Sequence, residues 1–99
     1  MTMYKMIALF KKPEDTASFD DYYFNTHMPL TNKIPGLEKV EITKMSGSSP
    51  YYLMCVMYYA SKEAFKEASK TPESKASGKD VMEFAGDLVT FMFGEDVND

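Results

Sequence analysis

The chain reads as an α+β protein of the ferredoxin-like type, βαββαβ, with two helical segments on one face of a four-stranded antiparallel sheet. Three observations predict this. Apolar segments beginning at Met3, Leu37, Tyr51 and Asp87 alternate with two segments of helical periodicity, in the order strand, helix, strand, strand, helix, strand. The second and third strands are separated only by Ser46-Gly47-Ser48-Ser49-Pro50, which is hairpin-loop chemistry. The first, third and last strands are apolar on both faces, and a sheet of that kind with one bare side leaves a patch too large for a monomer. The bare side is therefore expected to close on a second copy, giving a dimeric α/β barrel with a cavity either between sheet and helices or in the barrel interior. The 99 residues form a single domain over 1–99.

Met3 to Phe10 is the first strand, ended by Lys11-Lys12-Pro13-Glu14-Asp15. Thr16 or Ser18 caps the first helix, and Asp20 and Asp21 sit in its first turn, where the helix dipole favours acids. Helical spacing puts Phe19, Tyr22, Tyr23, Thr26 and Leu30 on the inward stripe, His27 at its edge, and Asp21, Asn25 and Met28 outside. Pro29 cannot donate to the carbonyl of Asn25 and crowds that turn, which predicts a bend or break near His27. Pro35-Gly36 closes the segment.

Leu37 to Lys44 alternates, with Val40 and Ile42 on one face, as in a half-exposed strand near a sheet edge. Tyr51 to Ala60 is apolar or aromatic throughout and reads as the most buried strand. Ser61 caps a second helix running through Lys70, with Ala64, Phe65 and Ala68 inward. Thr71-Pro72-Glu73 opens a short helix over Pro72 to Ala76; Gly78 interrupts it, and it resumes from Asp80 to Ala85 with Val81, Met82 and Phe84 inward. Asp80 itself reads as a helix-start acid. Asp87 to Gly94 is the last strand and Glu95 to Asp99 an acidic, frayed tail.

Composition narrows the function. A net charge of −4 argues against nucleic acid and anionic membrane as partners, since either requires a concentrated basic face. All basic residues are Lys; without Arg there is no bidentate fork for a carboxylate or phosphate. The single Cys55 has apolar neighbours and reads as a buried thiol, with no disulfide framework. No basic leader precedes the first apolar run and no run reaches spanning length, so a cytoplasmic location is expected. One histidine and one distant cysteine lack metal-ligand spacing, so no metal and no cofactor is expected.

His27 is the one side chain that titrates near neutral pH without unusual help, which makes it the natural general acid or base. Tyr23, one turn away, is the candidate for polarising a substrate oxygen. Tyr4 and Tyr58, on strands expected to be central, and Leu30 are candidate ligand contacts. The nine methionines suit either a core filler or the lining of a site for a flat apolar molecule.

Tyr22-Tyr23, Thr26-His27-Met28-Pro29-Leu30 and Lys33-Ile34-Pro35-Gly36-Leu37 together resemble the signature of the EthD family, and Asp80 to Phe84 and Val89 to Glu95 extend the resemblance more loosely. It implies the ferredoxin-like fold, a homodimer and a histidine at His27 lining a pocket. The wider superfamily holds cofactor-free monooxygenases, haem-degrading enzymes, isomerases, cyclases and dehydratases, so the fold alone selects no reaction. The expected function is a pocket for a small hydrophobic molecule, carbonyl-bearing or aromatic, with His27 moving a proton in isomerisation, cyclisation, dehydration or cofactor-free oxygenation. The rivals are a non-catalytic carrier or accessory protein for an oxygenase, and a purely structural dimer without a cavity.

Overall fold

The structure is a computed structural model that describes residues 3–97. Four strands, β1 (Tyr4–Lys11), β2 (Leu37–Lys44), β3 (Tyr51–Tyr59) and β4 (Val89–Glu95), form one antiparallel sheet in the order β2-β3-β1-β4. The helical segments are α1 (Thr16–Tyr22), a π turn over Tyr23–His27, α2 (Met28–Thr31), α3 (Lys62–Ser69) and α4 (Pro72–Ala85). This is the ferredoxin-like arrangement. Among the described residues no helix is long and apolar enough to cross a membrane.

The period of two along each strand sorts its residues between faces. Tyr4, Met6, Ala8 and Phe10 of β1 pair with Tyr59, Met57, Cys55 and Leu53 of β3 on the helix side, where the core lies. Ile7 and Leu9 point the other way, beside Val56 and Met54 of β3 and Met92 and Thr90 of β4. The interior position of β3 explains its continuous apolar run. β2 is an edge strand, as its alternation predicts, and β4 is the other edge. That position leaves Met92 and Phe93 46% and 52% exposed although their segment is apolar on both faces.

Several local expectations are corrected. Asp15, not Thr16 or Ser18, caps α1: its carboxylate accepts the Ser18 N–H at 3.0 Å. Ser61 and Thr71 cap α3 and α4 as expected, each accepting the N–H three residues on. α4 is continuous through Gly78, because Ser77, Val81 and Ala85, spaced four apart, dock one stripe on the core and hold the helix together. Met82 falls off that stripe and is 55% exposed. The tail is tied at its start: Asp96 pairs with Lys5 at 2.7 Å and its N–H donates to the Met3 carbonyl. Residues 98 and 99 of the expected frayed tail lie outside the described residues.

Candidate functional site

Pro29 has its predicted effect in an unexpected form. The helical chain continues without a break and widens into a π turn, in which Met28 N–H donates to the Tyr23 carbonyl five residues back. A wider turn makes room for the proline ring and absorbs the missing donor. It also advances the inward face by about one residue relative to a regular α-helix. His27, Met28 and Thr31 are therefore buried, whereas Thr26, expected inside, is exposed and Leu30 only half-buried.

The residues turned inward meet α4. His27 Nδ1 lies 3.0 Å from Asp80 Oδ2, and the Tyr22 hydroxyl donates to Asp80 Oδ1 at 2.6 Å. On the other side of the ring, Nε2 lies 3.4 Å from Thr31 Oγ1, which is 2.7 Å from Ser77 Oγ. The rings of Tyr23 and Phe84 flank the imidazole at centroid distances of 5.5 and 5.2 Å. A carboxylate only accepts, so the imidazole proton sits on Nδ1 facing Asp80, and Nε2 presents its lone pair toward Thr31. Burial lowers the His27 pKa from its ordinary value, and the opposing hydrogen bond and charge of Asp80 do not restore it. The imidazole is thus neutral at pH 7.

His27, Thr31 and Ser77 lie along one side of a cavity of about 190 Å³ between the sheet and the helices. Met6, Ala8, Met57, Val81 and Phe91 form its apolar walls. Tyr23 also lines it, with Cys55 alongside. Burial raises the Tyr23 pKa far above its usual value, so the phenol keeps its proton and remains a hydrogen-bond donor. Burial likewise raises the pKa of the Cys55 thiol, which makes it a poor nucleophile. Among the described residues no three His, Cys, Asp or Glu side chains converge as metal ligands would.

The structure therefore brings His27 and Tyr23 together and leaves the other three candidates away from this cavity. Tyr4 stacks between Phe65 and Phe93 beyond its lining. Tyr58 is on the opposite face of the sheet, its hydroxyl donating to Glu41 and its ring under the ammonium groups of Lys5 and Lys39. Leu30 lies beside Lys33, Pro72 and Glu73 in a separate shallow cleft. Sequence reasoning missed Thr31, Ser77 and Asp80. A signal existed for two of them: Ser77 and Asp80 share a helix stripe with Val81 and Phe84, and polar residues on an apolar stripe mark a buried network.

The EthD domain family matches residues 11–87. An uncharacterised 11.0 kDa protein from the thcB-thcC intergenic region of Rhodococcus erythropolis is 31% identical over 98 residues, 95% of each chain. The crystal structure of an EthD family protein from Bacillus halodurans C-125 is 54% identical, covers 96% of this chain and 99% of that one, and superposes with a TM-score of 0.93. Two further solved structures share the fold at low identity. One is a dimeric ferredoxin-like protein of unknown function from Thermobifida fusca YX (15%, 96% of this chain and 90% of that one, TM-score 0.68). The other is SnoaB, a cofactor-independent oxygenase from Streptomyces nogalater (13%, 100% and 95%, TM-score 0.65). A family match over most of the sequence and a close relative along nearly its whole length agree with the residues around His27: the chain belongs to the EthD family.

Proposed function

We propose that the protein is a cytoplasmic homodimer that binds a small, uncharged, largely apolar carbonyl or phenol compound and moves a proton on it with His27. The observation that carries this reading is the asymmetric environment of the imidazole. Nδ1 is engaged by Asp80 while Nε2 is turned toward the hydroxyls that line the cavity. A neutral imidazole fixed in this way accepts a proton at Nε2, and the Asp80 carboxylate then stabilises the imidazolium that forms. Tyr23 and one member of the Thr31–Ser77 pair, whose mutual hydrogen bond occupies one of their two protons, supply hydroxyl donors for a developing enolate or phenolate oxygen. Apart from His27 the described residues of the lining include no ionisable base or cation, only Tyr23 and Cys55 held protonated by burial, which favours a ligand without charge. An apolar cavity of about 150 Å³ accommodates benzene, so a single substituted ring matches the space.

The dimer reading rests on the uncovered sheet face, where Ile7, Leu9, Met54 and Met92 are at most half-buried around Val56. The buried free thiol of Cys55 suits a reducing compartment. Distant structural kinship with an oxygenase that uses no cofactor is compatible with proton abstraction as the opening step of the chemistry.

Acetophenone, a single ring bearing a ketone with exchangeable methyl protons, tests the proposal without knowledge of the natural substrate. The protein is expected to accelerate deuterium incorporation from D2O into that methyl group, followed by NMR. His27→Ala is expected to lower the acceleration by about 10²- to 10⁴-fold, the usual contribution of a general base. Equal exchange in wild type and His27→Ala contradicts the proposal. Binding of the ketone with no exchange in either protein identifies a carrier instead.

A further inference from the structure

Gly78 stands in the interior of α4, where glycine weakens a helix relative to alanine. Nothing within the chain demands it there. Its backbone is not among the positive-φ glycines, and a Cβ built on it meets no heavy atom within 4 Å. The residue nevertheless lines the cavity. Among the described lining residues only Gly78 and Ser69 are solvent-exposed; Ser74 and Phe65 on the helices and Met6 and Phe91 on the sheet are half-buried, and the rest are buried. Ser69 ends α3, Ser74 stands in the first turn of α4 and Gly78 lies one turn further on, so these three small residues of the lining run from the α3–α4 connection along the first half of α4.

We propose that the mouth of the cavity lies at this junction of α3 and α4, bordered by Ser69, Ser74 and Gly78, and that the absent side chain at Gly78 limits the size of the molecule that passes. The inference rests on the reading of the cavity as a small-molecule site. It adds the route and the residue that controls passage. The neighbouring walls are packed side chains: Val81 and Ser77 are buried on the same helix, and the half-buried Phe65 packs on Tyr4, Tyr59 and Phe93. A Cβ added at Gly78 meets nothing within 4 Å, so side-chain volume can be added there without displacing another residue.

The test follows 4-fluoroacetophenone by 19F NMR exchange with wild type, Gly78→Ala, Gly78→Leu and, as a control, Lys75→Leu at an exposed α4 position outside the cavity lining. Both glycine substitutions improve helix propensity, so each is expected to fold, with a melting temperature raised by about 4 °C. A narrowed mouth slows association and dissociation alike. Gly78→Leu is therefore expected to slow both by about tenfold, with Kd within about twofold of wild type, Gly78→Ala to fall between, and Lys75→Leu to match wild type. Unchanged rates in Gly78→Leu overturn the mouth assignment while leaving the cavity reading intact, and so does a weaker Kd at unchanged association rate, which indicates a side chain folded into the cavity. Absence of a bound signal in wild type overturns the cavity reading and the mouth together.

Discussion

His27 stays neutral in the fold at acidic pH values where an unfolded chain would protonate it. Burial keeps the folded imidazole neutral below the pH at which a free one takes up a proton. The sign of the consequence follows from proton counting. Below the unfolded value of about 6.5 the unfolded state binds a proton that the folded state refuses, so stability falls as pH drops through that value and toward the lowered folded pKa. The contribution of this one group is at most about 1.4 kcal/mol per pH unit. Urea midpoints compared between pH 7.5 and 5.5 are expected to decline in the wild type and to decline less in His27→Gln; an equal decline in the two would show that another group is responsible. Tyr22 and Asp80 brace the same ring from outside the cavity, and the Thr31–Ser77 pair braces it from within. The identity of His27 and its proximity to Tyr23 were readable from a four-residue spacing. Asp80 was not, because it lies 53 residues further along the chain and only tertiary packing joins the two. Its acid looked like a helix-start residue because the helix containing it was expected to be interrupted at Gly78.

Among the elements, the strands were legible almost to the residue, since a period of two and a serine-rich hairpin loop are local signals. The helix carrying His27 was legible as a helix but not in its phase. Periodicity assumes about 3.6 residues per turn, and the π turn breaks that assumption midway. Phe19, Asp21 and Tyr23 face as expected, and from Thr26 onward the inward face is shifted, which is why Thr26 and Met28 exchange places and why Thr31 enters the site. Pro29 was the visible cause and its effect was located correctly; the sequence alone could not show that the disturbance takes the form of a widened turn. α4 shows the opposite case. Local propensity predicted two fragments around Gly78, and packing of Ser77, Val81 and Ala85 made one helix. A position where packing overrides propensity while glycine remains costly is one where a functional demand for space is a reasonable explanation.

At the scale of the whole molecule the sheet has one dressed and one bare side. The dressed side holds the cavity and its base. On the bare side Ile7 sits between Val56 and Met92, with Lys5, Tyr58, Lys39 and Glu41 forming a charged margin. If two copies meet there, sedimentation should show a dimer for the wild type and a monomer for Ile7→Glu, whose carboxylate would be buried without a partner; a monomeric wild type at micromolar concentration would contradict the dimer. The cavity lies on the other side of the sheet, so its chemistry stands apart from that outcome. Because the chain contains a single histidine, one set of imidazole signals reports directly on the account's central claim. A 1H–15N NMR titration of His27 is expected to show the Nδ1–H tautomer at pH 7, a pKa below 6.5, and a shift of Nε2 when acetophenone is added. A pKa at or above 6.5 together with an Nε2 resonance indifferent to the ketone would contradict it.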